Sequence, residues 1–289
     1  MFDGLVLHPH SQDLLKAYIV QPSHAILLLG AEGIGKGTIG LGMSGRLLSV
    51  TTDRLATSPT FRHIIPDEKR TISIESIRKL QQFVRLKTTG TATIRRVILI
   101  ENADRMTTEA QNAFLKLLEE PPTDTALIMT AAHIHGLLPT IRSRVQTLSI
   151  ITPPKAQLLE HFKAQPSSRV TQAFFLSGGL PGLMTALLDG DTSHPLVESV
   201  VIAKQILQQQ LFERLAHIEP LAKQKEQAIS LCDALGRIAQ AGLQQAADKQ
   251  DTKRLKQWHR IIKETYQAKN SFEANANTKL VLTNLMLQL

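Results

Sequence analysis

A chain of 289 residues, 43% hydrophobic and carrying a net charge of +8, is long enough for about two domains with buried cores, and its apolar runs are too short to cross a bilayer. Residues 1–7 lack the basic start of a secretory signal, so a cytoplasmic location without a membrane partner is expected. The single cysteine, Cys232, excludes an internal disulfide and a cysteine zinc site and reads as a core residue, while the basic balance suits either a polyanionic partner or a solvated surface.

In chain order, a short helix over 10–19 ends at Gln21-Pro22-Ser23. The run AILLL at 25–29 then reads as a buried strand, and it leads into G-A-E-G-I-G-K-G-T at 30–38. Gly30, Gly35 and Lys36 have Walker A spacing: glycines, Gly33 among them, let backbone N–H groups curl round phosphates, and the lysine reaches the outer ones. The next position should carry a magnesium-binding hydroxyl, and it is Gly37. Thr38 is no replacement, since one residue along a helix is about 100° round its axis. The turn therefore reads either as a weak nucleotide site or as one that no longer holds a nucleotide. Gly40, Gly42 and Gly45 make the following helix poor in propensity and suited to close packing on a sheet. A short strand is expected at 63–66 and a helix over 74–84, with Ile74, Ile77, Leu80, Phe83 and Val84 on one side. From 78 to 96 stand Arg78, Lys79, Arg85, Lys87, Arg95 and Arg96 with no acid, a solvated face or a partner or nucleic-acid surface.

Residues 95–122 organise the rest. Val97 to Ile100 form a buried strand, so Glu101, Asn102 and Asp104 fall at its carboxyl edge, where open α/β sheets place ligands. A helix follows, with Thr108 and Gln111 at capping-box spacing and Ala110, Ala113, Phe114, Leu117 and Leu118 on one face, and Pro121-Pro122 end it. Another buried strand over 126–130 finishes in Thr130; L-L-P-T-I-R-S-R at 137–144 precedes a last strand over 145–151. This β–α alternation predicts a parallel sheet with helices on both faces. After Pro153-Pro154 the pattern is helical: 155–189 interrupted at 177–182, a linker at 190–195, then 196–289 as an antiparallel bundle broken at Glu219-Pro220 and near Gly242. Lys249, Lys253, Arg254, Lys256, Arg260 and Lys263 there oppose only Asp251.

On these residues the chain resembles the bacterial clamp-loader subunits of the AAA+ class, and within it the delta-prime subunits of DNA polymerase III. The run N-A-F-L-K-L-L-E-E-P-P at 112–122 resembles the family's helix after Walker B. Residues 137–144 are similar to the segment ending in its Ser-Arg-Cys motif, with Val145 in the cysteine's place, and 275–280 to its last collar helix. The resemblance implies a RecA-like AAA+ core over 1–152 with a degenerate P-loop, a helical lid over 153–192 and a helical collar over 193–289 that holds a ring together. It implies ATP as the nucleotide for a site of Gly30, Gly33, Gly35, Lys36, Thr38, Glu101 and Thr130, the last at the first sensor. Departures bear on hydrolysis. Glu101 and Asn102 stand where motor subunits carry Asp and Glu, an amide is a poor general base, Gly179-Leu180-Pro181-Gly182 lacks the second sensor's arginine, and the family's four-cysteine zinc module is missing, so no zinc is expected.

Ser143-Arg144 is kept, and the resemblance gives Arg144 the part of an arginine finger acting in trans on a neighbour's γ-phosphate. Its plainer reading is an arginine paired with local carboxylates. The implied function is a non-hydrolysing subunit of a hetero-pentameric clamp loader, whose partners are other loader subunits, a sliding clamp and primed DNA. The alternatives are an ATP-hydrolysing motor subunit, kept open by Lys36, and a DNA-binding scaffold without nucleotide control. Nothing resembles a nucleotidyl-transfer site with paired metal-binding aspartates.

Overall fold

The computed structural model describes residues 5–67, 70–85, 91–191 and 195–289, and these fall into two compact units, Met1–Pro154 and Lys155–Leu289. In the first unit α1 (Pro9–Val20), β1 (Ala25–Leu29), α2 (Lys36–Leu48), α3 (Thr52–Leu55), β2 (Phe61–Ile64), α4 (Ile74–Arg85) and β3 (Arg96–Ile100) follow one another. They lead to α5 (Thr108–Glu119), β4 (Thr125–Ala131), α6 (Pro139–Arg142) and β5 (Gln146–Ser149). The strands make one sheet in the order β2-β3-β4-β1-β5, and every pairing is parallel.

β1, β3 and β4 are apolar because both of their faces are covered: Ile26, Leu27, Leu28, Ile98, Leu99, Ile128 and Met129 are fully buried. Helix α4 sets Ile77, Leu80 and Phe83 into the same core as Phe114, Leu117 and Leu118 of α5. On α2, Gly40 lies so close to Leu99 that a Cβ there would meet its Cδ1 at 2.6 Å, the close helix-on-sheet contact expected of the glycine-rich helix. The carboxyl ends of β1, β3 and β4 thus share one edge of the sheet, from which the P-loop and the acidic turn leave.

The second unit is helical: α7 (Lys155–His161), α8 (Ser167–Ser177), α9 (Pro181–Asp189), α10 (Pro195–Gln208), α11 (Leu211–Ala216), α12 (Ile218–Ala222), α13 (Lys225–Asp248), α14 (Thr252–Glu273) and α15 (Thr278–Gln288). Its core gathers Leu176, Ala203, Ile206, Leu231, Leu235, Ala239, Ile261, Phe272, Leu282 and Leu285. The architecture expected from the sequence, a parallel sheet covered by helices and followed by an all-helical part, is borne out.

Several local expectations differ. The strand expected at 63–66 lies at Phe61–Ile64, ended by Pro66, which has no N–H for a sheet ladder. α5 is capped by Thr107, whose hydroxyl accepts from the N–H of Ala110 at 3.2 Å; Gln111 is not a capping partner but a buried bridge. The break expected at Glu219-Pro220 falls at His217, between α11 and α12, and so places Pro220 in the first turn of α12, where its missing N–H is not needed. The helix does not break at Gly242, which lies inside α13 against the ring of Trp258.

Candidate functional site

The P-loop is built by glycines that can take a left-handed backbone. Gly33 has φ 87° and Gly35, the N-cap of α2, has φ 98°, values that a side chain would strain. The loop therefore turns sharply enough to aim the first N–H groups of α2 back across the end of β1, the arrangement that binds anions. Lys36 is buried, 6% exposed, and its Nζ donates to the carbonyls of Gly30 at 2.7 Å and Ala31 at 3.0 Å. Burial pushes its pKa below the ordinary lysine value, opposed by the negative charge of Asp104, Glu32 and Glu101. A phosphate at the loop would supply the further negative charge this ammonium lacks, so Gly30, Gly33, Gly35 and Lys36 fit a phosphate group.

The metal half of the site does not fit. A Cβ at Gly37 would meet the Glu101 carboxylate at 2.5 Å (Oε2), and Oε1 of Glu101 lies 2.8 Å from Nε2 of His63, on the neighbouring strand end. The space a magnesium-binding hydroxyl would need is thus filled by a carboxylate held from its other side. Thr38 is exposed, turned away round α2. Asn102 sits in the left-handed region at φ 51°, and its N–H donates to Oγ1 of Thr130 at 2.9 Å. Thr130 therefore fastens the turn after β3, and the amide side chain beside it offers no base for an attacking water. Asp104 is tied elsewhere: its Oδ2 accepts from the N–H groups of Ala132 and His133 at 3.1 and 3.0 Å. No group of three or more His, Cys, Asp or Glu side chains is placed to hold a metal among the described residues.

Arg144 lies just past α6, away from its own P-loop in sequence and on a separate turn. Its guanidinium is 3.0 Å from the Glu119 carboxylate at the end of α5 and donates to the carbonyl of Thr140 at 2.9 Å and to Oγ of Ser143 at 3.3 Å. The local carboxylate pairing is therefore present. Both partners are open to solvent, 37% and 49% exposed, so the pair is worth about 0–1 kcal/mol. The turn beneath is held by Gln111, whose amide donates to the carbonyls of Met106 and Gly136 at 3.2 and 2.9 Å and accepts from the N–H of Leu138 at 2.8 Å.

The structure brings Gly30, Gly33, Gly35, Lys36 and Glu101 together, sets Thr130 behind the acidic turn, and leaves Thr38 outside. Sequence reasoning missed His63, Gln111 and Glu119. A lone histidine in a short edge strand carries no signal, and Gln111 was visible only as a possible cap. The basic run from 78 to 96 does not form one face: Arg95 pairs with Asp124 at 3.3 Å, and Arg96 is buried over the Phe83 ring, donating to the carbonyl of Val84. Lys87 lies outside the described residues, as do residues 192–194 of the linker.

In the first unit, the first strand of a parallel sheet thus feeds a glycine loop, and a lysine opens the next helix. The model of the family described as DNA polymerase III, delta subunit, matches residues 17–154. The chain is 30% identical over 212 residues to a DNA polymerase III subunit delta' from Pseudomonas aeruginosa, covering 66% of this chain and 63% of that one. It is 28% identical over 209 residues to the subunit of that name from Escherichia coli, covering 64% and 60%. The chain thus spans less than two thirds of the length of these relatives. A solved structure of a DNA polymerase III gamma subunit-related protein from Thermotoga maritima is 20% identical and covers 96% of this chain and 97% of that one, with a TM-score of 0.48. No helix among the described residues is long and apolar enough to cross a membrane.

Proposed function

We propose that this chain is a non-hydrolysing subunit of a clamp loader in DNA replication, which serves a neighbouring ATPase subunit rather than turning over ATP itself. The observation that carries the reading is the filled space at Gly37: the Glu101 carboxylate packs where a metal-binding side chain would stand, and Asn102 follows it in place of a base. When bound, ATP with its magnesium ion supplies the phosphoryl chemistry. This chain's own loop would hold only the phosphates, through the Gly30–Gly35 backbone and Lys36.

Arg144 is the residue proposed to act, in trans. Its exposed pair with Glu119 costs little to exchange, so the guanidinium can leave a carboxylate for the γ-phosphate of an adjoining subunit, where it would stabilise charge that develops during phosphoryl transfer. Ser143 keeps the arginine poised, since its hydroxyl donates to the carbonyl of Thr140 and accepts from Arg144. The lid over 153–192 and the collar over 193–289 would seat the chain in a hetero-pentamer that opens a sliding clamp and loads it on primed DNA in the cytoplasm. ATP turnover by the chain alone and by the assembled loader, each with Arg144→Ala, tests this reading. The runner-up is a motor subunit, favoured by the left-handed glycines and the buried Lys36 of an intact phosphate loop.

A further inference from the structure

We infer that the first half of α14 is a docking strip for the phosphodiester backbone of a nucleic acid. Lys253, Lys256, Arg260 and Lys263 are all exposed, and their spacing of three, four and three residues places them within about 80° of one another round the helix. Their span of about 15 Å carries a positive charge about every 5 Å. One strand of a duplex presents a phosphate about every 3.4 Å along its axis, so the strip faces about four of them.

The surroundings favour a backbone over a solvated surface of mixed charge. One acid borders this face: Glu264, four residues on from Arg260 and about 20° from Lys253 round the helix, is half-buried. Asp251, the N-cap of α14, is engaged by Arg254 through its N–H at 3.1 Å and its Nε at 3.5 Å, and Asp233 is engaged by Lys269 at 2.8 Å. Glu264, half-buried at the margin, lines the groove that the second half of α14 makes with Leu280, Val281, Asn284 and Leu285 of α15. The opposite face of α14 is fixed in the core by Ile261, Ala268 and Phe272, so the strip is held rigid without using its charges. His259 and Tyr266 flank it, Tyr266 with 67% of its surface exposed, placing a ring beside the lysines where a base can stack. An acidic protein surface has no regular charge repeat, and the even spacing along a straight line fits a polynucleotide better.

The test is fluorescence anisotropy of the full chain with a fluorescein-labelled duplex and a single-stranded oligonucleotide, across about 50 to 200 mM salt. Four phosphate contacts predict a log–log salt slope of about −3.6 for duplex and about −2.8 for single strand, a loss of about 100-fold in duplex affinity over that range. The variant K253E/K256E/R260E/K263E should bind at least about tenfold more weakly at the lowest salt and lose most of the slope. A variant with the same change of net charge elsewhere, K16E/K163E/K223E/K279E, should bind as the wild type does. If charge reversal prevents folding, as judged by circular dichroism, single Lys→Gln changes in the strip should each lower the slope by about 0.9. The inference is overturned if the wild type fails to bind at low salt, or if the two quadruple variants lose binding equally, which would mean diffuse attraction by net charge. It is also overturned if polyglutamate competes as well as the oligonucleotide, which would assign the strip to an acidic protein. None of these outcomes depends on whether Arg144 or the P-loop acts as proposed.

Discussion

The carboxylate of Glu101 lies against Gly37, with Oε2 at 2.5 Å from where a Cβ would be, and His63 holds its other oxygen at 2.8 Å. Helix propensity alone would make Gly37→Ala favourable by about 1 kcal/mol, but the new methyl must displace the Glu101–His63 pair, itself worth about 0–1 kcal/mol at this exposure. Gly37→Ala should therefore leave stability within about 1 kcal/mol of wild type, and in a Glu101→Ala background it should stabilise by about 0.5–1 kcal/mol. Urea denaturation of the four proteins of this cycle measures the difference; an identical effect of Gly37→Ala in both backgrounds would mean the carboxylate does not fill the space.

Two glycines of α13 should respond with opposite signs. At Gly242 a Cβ would run into Cε2 of the Trp258 ring, which is half-buried and packed against the helical core, so Gly242→Ala should destabilise by about 1–3 kcal/mol despite its better propensity. At Gly236 the nearest atom, Thr265 Oγ1, would be 3.8 Å away, and Gly236→Ala should stabilise by up to about 1 kcal/mol. Urea midpoints of the two variants check the contrast.

Cys232 is buried, and burial, aided by Asp233 and opposed by Lys269, pushes its thiol from 9.0 up to about 12. The thiol should resist a disulfide reagent at about pH 8 in the native chain and react fully in denaturant. A raised pKa means that the unfolded chain releases this proton first. The stabilisation is therefore complete below the ordinary thiol value and is lost as pH rises from about 9 towards 12. Cys232→Ala should flatten the fall of the urea midpoint with pH across that window.

Gln111 satisfies three backbone groups in the segments that lead into α5 and α6, so its loss leaves polar groups of a half-buried turn without partners. Gln111→Ala should cost about 1–3 kcal/mol, and Gln111→Glu should not restore both donated bonds. Hydrogen exchange at the Leu138 amide, which gives its proton to Oε1, should accelerate in Gln111→Ala more than exchange at the amides of β1.

The strands and the phosphate loop were legible because each leaves a local mark: four or five consecutive apolar residues bounded by polar ones, and glycines at fixed spacing before a lysine. Gly37 was legible as a departure, but what replaces the missing side chain was not, since His63 and Glu101 meet only when β2 pairs with β3. The cap of α5 fell one residue away, at Thr107 rather than Thr108, because adjacent threonines have equal capping chemistry and only the backbone of Thr107 is extended. Pro220 marked a real break, because a proline is tolerated in a first turn and the helix starts just before it, whereas Gly242 misled: it disfavours a helix interior, yet it makes room for a ring.

ATP turnover tests the central claim most directly. It should be measured for the purified chain alone, and then for a loader assembled with motor subunits, clamp and primed DNA, with wild type and Arg144→Ala compared in each. The account predicts a silent chain and, in the assembly, a loss of about 10³-fold at the one site that Arg144 serves. Turnover by the chain alone that Lys36→Ala abolishes, or an assembly indifferent to Arg144→Ala, would contradict it.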